Sequence, residues 1–406
     1  MNFYYCDTGL KDESGHHAGE CQFLSTILSD HLGLNVIKLG HKTLDEKIKN
    51  RINAIPHFNV YTYGVYKPDI VSGELNDYLF KADLLCHDLL QLNNLSGEDV
   101  FYFSSVLPFH IRGIHLWMQR KFSVENAPLV IIFPGFAPGV TIEPDTGRLN
   151  SFNLESVCFR SSSLLLNKGL SNRFRFIYYD RYISRIFSSL LSRQVTYVPM
   201  PYHHEYIKEN HDKNTPITIG FLGHQTDARK GYQLVPEIVE KILATYPEVS
   251  IVVQNSEPSR MQAITDKLAA IQDPRLKLVF SSLDEDGWHH LYDEIDIVVL
   301  PYKEGVYNLR TSGIARECFA YGKLIVVPEN SLMHRHQNDY GFPALVFSSS
   351  DTDSIVKSIS HVIDNYDQLN MQTEDAAIRW RKAHEVSNFT QHFNSVLDNH
   401  QIQEIY

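Results

Sequence analysis

The sequence predicts an α/β protein of two domains, each built on a doubly wound parallel sheet. Three observations carry this. Short β-branched runs alternate with amphipathic helical patterns along the chain. Strand-like runs lead into polar loops and then helices, as where the run over 217–223 ends in Gly223. The 406 residues exceed what one ordinary core holds.

The alternation is most regular in the second half. A strand over 217–223 ends in Gly223, and a helix follows with Leu234, Val235, Ile238, Val239, Ile242, Leu243 and Tyr246 on one face. Then come strand 250–254, helix 258–271, strand 276–280, a short helix near 287–292 and strand 295–300. A helix starting at Thr311 or Ser312 carries Glu317. Strands 324–327 and 345–347 and helix 351–366 complete the series. In the first half, strand 3–6 leads through a loop over 8–18 into helix 19–32, with Phe23, Leu24, Ile27, Leu28 and Leu32 in phase. Strands 35–39, 58–63, 100–104 and 129–133 follow, and 175–179 and 195–198 close this half. The expected organisation is a Rossmann-like domain over 1–200, a polar linker over 201–215 and a second Rossmann-like domain over 216–372. A helix within 373–406, from about 374 to 404, is expected to pack back across the junction. Two such domains facing a central cleft offer a site with one substrate on each side.

Composition narrows the function. The chain is 43% hydrophobic and 21% charged, ordinary for a globular protein. It has no run of about 18 apolar residues and no basic, apolar leader at Met1, so a cytoplasmic protein without a transmembrane segment is expected. Five scattered cysteines with no Cys-x-x-Cys suit a reducing compartment. A net charge of −11 argues against a nucleic-acid binder.

Two constellations carry chemistry in the second half. In the first, Gly223-His224-Gln225-Thr226-Asp227-Ala228-Arg229-Lys230-Gly231 joins a strand to a helix. Gly223 permits a tight turn. Arg229 and Lys230 at a helix mouth suit a diphosphate, because free N–H groups there already favour an anion. The plain alternative is a solvated basic loop. The second is Tyr307-Asn308-Leu309-Arg310-Thr311-Ser312-Gly313, followed by Glu317. Thr311 or Ser312 caps the helix, Gly313 admits close approach of a phosphate, and Glu317 can accept hydrogen bonds from a ribose diol. The alternative for Glu317 is pairing with Arg316 or Arg310.

With both constellations in order, the second half resembles the donor domain of GT-B glycosyltransferases, nearest to the retaining group called family 4. Phe221-Leu222-Gly223, Arg229-Lys230-Gly231, Asp296-Ile297-Val298-Val299-Leu300-Pro301 and Glu317 through Val327 match that group's pattern across about 216–366. Residues 1–200 agree only in layout. His224 stands where the family often has Arg, and Leu309 where it often has a first Glu that touches the sugar. The resemblance implies a GT-B fold and a hexosyltransferase in polysaccharide or glycoconjugate assembly. It implies a nucleotide-diphosphate sugar as donor and a glycan or lipid-linked acceptor. It also implies retention, no cofactor, no metal, and contact at most with the inner face of a membrane. Tyr307, Asn308 or Arg310 is expected to take the place of the missing Glu. The alternatives are a non-catalytic nucleotide- or glycan-binding subunit, or a sugar-nucleotide epimerase of the same fold.

The first half offers His16 and His17 in Ser14-Gly15-His16-His17-Ala18-Gly19, and His110 with Arg112 after strand 100–104. Were the reaction inverting, one of His16, His17 and His110 would serve as general base, and the sequence does not choose among them. The plain reading of the adjacent pair is solvated loop residues. Asp284-Glu285-Asp286 reads as a helix start rather than a metal site. His203-His204 and His289-His290 read as surface or linker residues.

Overall fold

A computed structural model describes the chain except for residues 13–15, 67–72, 136–138, 143–147, 152–153, 167–168, 203–215, 224–227, 304 and 399–406. The chain forms two compact units. One comprises Met1–Pro201 with Val386–Tyr406, the other Tyr202–Glu385.

The first unit contains strands β1 (Phe3–Cys6), β2 (Val36–His41), β3 (Ala54–Phe58), β4 (Val100–Val106), β5 (Leu129–Pro134), β6 (Val140–Ile142), β7 (Leu149–Ser151), β8 (Phe174–Tyr178) and β9 (Val195–Tyr197). Its helices are α1 (His17–Leu32), α2 (Glu46–Ile52), α3 (Gly73–Leu90), α4 (Pro108–Lys121), α5 (Leu154–Leu164) and α6 (Arg181–Leu191). Seven strands make a sheet in the order β3-β2-β1-β4-β5-β8-β9, and β6 and β7 form a separate hairpin. In the second unit β10 (Thr218–Phe221), β11 (Ser250–Gln254), β12 (Leu276–Val279), β13 (Ile297–Val299), β14 (Leu324–Pro328) and β15 (Val346–Phe347) form a sheet in the order β12-β11-β10-β13-β14-β15. Around it lie α7 (Val235–Thr245), α8 (Gln262–Ala270), α9 (Glu285–Glu294), α10 (Gly313–Tyr321), α11 (Leu332–Tyr340), α12 (Thr352–Asp364) and α13 (Tyr366–Ala383). The pairings within both large sheets are parallel.

Helices cover both faces of each sheet, so central strands are buried on both sides and lose the two-residue alternation. β1, β4 and β14 are buried along their whole length. In each sheet the strand order reverses beside the first strand. The chain runs outward from β1 through β2 to β3, then returns to β4 on the other side of β1. It does the same from β10 to β12 and back to β13. Ligands of such sheets bind beyond the carboxyl ends of the two strands flanking that reversal.

Three expected elements differ. The strand expected at 58–63 lies earlier, as β3. Asn53 takes a left-handed conformation (φ 51°) that ends α2 and turns the chain directly into the strand. Pro56 is tolerated there because β3 is an edge strand. The Asp88 carboxylate then draws the backbone off the sheet, accepting from the N–H groups of Asn59 (2.8 Å) and Val60 (3.2 Å). Helix α1 begins at His17 rather than at residue 19, which places His17 in the helix and His16 at its cap position.

The single helix expected from 374 to 404 is two. α13 starts at Tyr366 and buries Ala376, Ala377 and Trp380 in the core of the second unit. The chain breaks at His384, whose ring stacks on Trp380 at 3.9 Å. α14 (Val386–Leu397) then buries Phe389, Phe393 and Val396 in the first unit, against Phe3 and Tyr102. Among the described residues, no helix is long and apolar enough to cross a membrane.

Candidate functional site

A cavity of about 480 Å³ opens at the strand reversal of the second sheet. Gly223 forms one wall. It follows β10 at φ 106°, a conformation that disfavours any side chain. Its N–H donates to Oε1 of Gln254 (2.9 Å), and the Gln254 amide donates in turn to the Ser281 carbonyl (3.2 Å). Lys230 reaches in from a short 3₁₀ turn, Ala228–Lys230. Its ammonium nitrogen lies 3.8 Å from where a β-carbon on Gly223 would stand. The next residue, Gly231, has φ 68°, and the loop is tied to the strand β13 exit by the Lys303 N–H donating to the Arg229 carbonyl (2.8 Å).

The opposite wall is the start of α10. Ser312 caps it: its Oγ accepts from the Ala315 N–H at 3.4 Å and lies 3.4 Å from the Tyr302 hydroxyl. Thr311, Ser312 and Gly313 line the cavity, so the uncompensated N–H groups and positive dipole end of this helix lie at its wall.

Glu317, one turn further along α10, also lines the cavity. Its hydrogen bonds come from α9 and not from Arg310 or Arg316. Trp288 Nε1 (2.9 Å) and the Tyr292 hydroxyl (2.7 Å) both donate to Oε2. Burial raises the Glu317 pKa, and these two donors and the Arg316 charge offset only part of the effect. The carboxylate is therefore fixed in direction and poorly solvated, ready to accept from a ligand.

The structure separates the remaining expected residues. Tyr307 lines the cavity and stacks on Tyr302 with ring centroids 4.2 Å apart. Arg229, Asn308 and Arg310 do not line it. Tyr307 and Leu309 anchor their segment in the core, which turns the intervening Asn308 outward. Leu309 is thus a core residue. Arg229 is exposed, and of the two cations in its loop Lys230 is the one that lines the cavity. His224 lies outside the described residues. Gln254, Ser256, Ser282, Trp288 and Tyr302 line the site without having been singled out in the sequence. Gln254 left a signal, as the polar residue that closes β11 after the apolar run Ile251-Val252-Val253. Asp284 caps α9 by accepting from the Gly287 N–H (2.9 Å), as its helix-start reading requires. His289 is half-buried against Tyr321 rather than a surface residue.

In the first unit the three histidines differ sharply. His110 is 1% exposed. Leu107 N–H donates to its Nδ1 (3.0 Å), which leaves the proton on Nε2 for Thr8 Oγ1 (2.8 Å). Burial lowers its pKa to about 3. Both nitrogens are engaged within the fold, and burial favours the neutral ring. A depressed pKa means stability present above the ordinary value of 6.5 and lost as pH falls below it. The first unit should lose resistance to urea between pH 7 and pH 5, and His110→Asn should flatten that dependence. His17 is also buried, but between Asp7 Oδ2 and the Tyr63 hydroxyl, each at 2.8 Å. His16 stacks on His17, with ring centroids 4.4 Å apart, and its Nε2 lies 3.4 Å from Ser105 Oγ. Neither is a merely solvated loop residue.

The chain is similar to solved structures over 98% or more of its length. It matches the S. aureus MnaA–UDP co-structure at 12% identity and a TM-score of 0.62, covering 98% of this chain and 97% of that one. It matches the E. coli trehalose-6-phosphate enzyme bound with UDP-2-fluoro glucose at 12% identity and a TM-score of 0.65, with 99% of each chain covered. The α,α-trehalose 6-phosphate synthase of Burkholderia multivorans matches at 11% and 0.65, with 98% and 97% covered. The fold is GT-B. At these identities the likeness establishes the GT-B architecture and leaves the chemistry to the site. No family model matches the sequence, and no curated protein matches it. Among the described residues of this GT-B chain, no group of three or more His, Cys, Asp or Glu side chains is placed to hold a metal ion.

Proposed function

We propose that this protein transfers a sugar from a nucleotide-diphosphate sugar to a hydroxyl of a glycan or lipid-linked acceptor, as in polysaccharide or glycoconjugate assembly. One observation carries the reading. At the strand reversal of the second sheet, a lysine ammonium, the open N-terminus of a helix and an oriented carboxylate line one cavity. Those three features suit a nucleotide diphosphate. Lys230 and the amides at the start of α10 hold the diphosphate and stabilise the negative charge that grows on it as the sugar departs. That positive potential comes from the protein, so the proposed reaction is metal-independent. Glu317 accepts from the ribose diol, and Tyr302 and Tyr307 present an aromatic wall. UDP-sugars are the first donors to test, since two of the structural neighbours hold UDP or a UDP-sugar analogue.

The test is calorimetric titration of the purified protein with UDP-, GDP-, CMP- and dTDP-sugars. At least one is expected to bind in the micromolar range, and Lys230→Ala should weaken that binding about 10- to 100-fold, the usual value of a charge-assisted contact. Absence of binding to every donor, or unchanged binding in Lys230→Ala, would overturn the donor-site reading. Binding with no turnover on any acceptor would leave a nucleotide-binding subunit.

A further inference from the structure

Trp288 and Tyr292 stand four residues apart on α9, so they share one face of that helix. Glu317 and Tyr321 stand in the same relation on α10. The two faces interlock. The Tyr292 ring stacks on Tyr321, with centroids 4.9 Å apart and planes 9° from parallel, and Trp288 packs edge-on to Tyr292 at 5.5 Å. The Tyr321 hydroxyl bonds in turn with His289 of α9. Tyr292 is 0% exposed, whereas Trp288 and Glu317 line the cavity. Packing between two helices of one unit therefore sets what Glu317 meets.

Both donors from α9 fall on one carboxylate oxygen. An indole N–H only donates, and Trp288 Nε1 lies 2.9 Å from Oε2. The Tyr292 hydroxyl lies 2.7 Å from the same oxygen and 3.5 Å from the Ile314 carbonyl, so its single proton goes to Oε2. A carboxylate oxygen offers two lone pairs, and both are thereby occupied. Among the described residues no hydrogen bond falls on Oε1. Oε1 is the acceptor left for a ligand in the cavity that Glu317 lines.

We propose that Trp288 and Tyr292 are positioning residues for the nucleotide donor: they occupy Oε2 of Glu317 and present Oε1 alone to the ribose. The inference rests on the donor-site reading above. Both diol hydroxyls then share one oxygen, through its two lone pairs. A carboxylate free to turn would offer either oxygen and would lose that freedom on binding. The α9 donors remove the freedom before the nucleotide arrives, so more of each contact appears as affinity.

The titration of Glu317 agrees with this role. Burial raises its pKa, and the bonds from Trp288 and Tyr292 are the largest influences that lower it, ahead of the charges of Arg316 and His289. Tyr202 and Tyr302 also feel its charge and are held neutral by burial, and Lys230 lines the same cavity. Loss of either α9 donor removes a bond to the ionised form and moves the Glu317 pKa further up. The donor needs the ionised form, so the acid limb of binding should move to higher pH.

The test compares the full chain with Tyr292→Phe, Trp288→Phe, Glu317→Gln and the double variant Tyr292→Phe/Glu317→Gln. Affinity for UDP, GDP and CDP is measured by calorimetry across about pH 5 to 8. The acid limb is expected to rise by about one pH unit in Tyr292→Phe, the scale of one lost charge-assisted bond, and affinity below the limb should fall about tenfold. Trp288→Phe should move the limb the same way and serves if the buried variant fails to fold. Because Trp288 itself lines the cavity, its limb decides rather than its bare affinity. In the double variant Tyr292→Phe should add less than about twofold to the loss in Glu317→Gln, since it acts through the carboxylate. A residue that only held the fold would lower affinity equally at every pH and in both backgrounds. Wild-type acid limbs in both Tyr292→Phe and Trp288→Phe, or an undiminished loss in the double variant, overturn the positioning role while the donor-site reading stands. A wild-type protein that binds none of the nucleotides overturns both.

Discussion

Gly231→Ala is expected to destabilise the second unit by about 2–5 kcal/mol and to abolish nucleotide-sugar binding. Two costs add. Gly231 has φ 68°, and a left-handed conformation costs a residue with a β-carbon about 1–2 kcal/mol. The added carbon would also stand 1.7 Å from the Pro301 carbonyl oxygen. No side-chain rotation relieves a clash with backbone, and forced overpacking costs about 1–3 kcal/mol more. Either the Lys230 loop or the exit of β13 must move, and those two segments carry opposite walls of the cavity. Gly305→Ala is the control. Gly305 has φ 78° but nothing within 4 Å of a new β-carbon, so it should show the conformational cost alone. Urea denaturation separates the two variants. Equal losses in both would mean that the approach of Gly231 to Pro301 is not what holds the site together.

The close approach at Gly231 also marks the limit of what the sequence conveys. Arg229-Lys230-Gly231 was legible as a basic glycine turn after a strand, because turn chemistry and charge are local properties. The contact to Pro301, 70 positions away, is set by the pairing of β10 with β13 and leaves no local trace. Glu317 was legible for the same local reason, as a carboxylate one turn into a capped helix. Its partners were not. Trp288 and Tyr292 lie on α9, whose polar sequence reads as a surface helix, and they meet Glu317 only after the sheet is assembled. The first half shows the converse. Two adjacent histidines in one loop look equivalent, yet the start of α1 separates their fates. His17 enters α1 and meets Asp7, and His16 stays at its cap. His110 followed a strand end, like a site residue, but the fold spends both its nitrogens on Leu107 and Thr8.

Glu317→Gln is expected to weaken nucleotide-sugar binding about 10- to 100-fold while leaving the fold as stable or more so. The amide keeps one oxygen to accept from Trp288 and Tyr292, so the side chain holds its place. What changes is the group facing the ligand: an NH₂ donor replaces an acceptor, and two diol hydroxyls lose charge-assisted bonds of about 1.5–3 kcal/mol. The stability effect follows from the sign of the pKa shift. A carboxyl group whose folded-state pKa is raised contributes stability below its unfolded value and loses it as pH rises through the folded one. Once pH has risen through that raised value, ionised Glu317 is thus a burden on the fold, and the neutral amide removes it. Donor binding should run the opposite way. It needs the ionised form, so wild-type affinity should fall as pH drops through the raised value, and the Gln variant should lack that limb. Calorimetry with a 2′,3′-dideoxy nucleotide isolates the contact. Wild type and Glu317→Gln should bind this analogue alike, whereas an equal loss of affinity for analogue and parent would place Glu317 against some part of the donor other than the ribose.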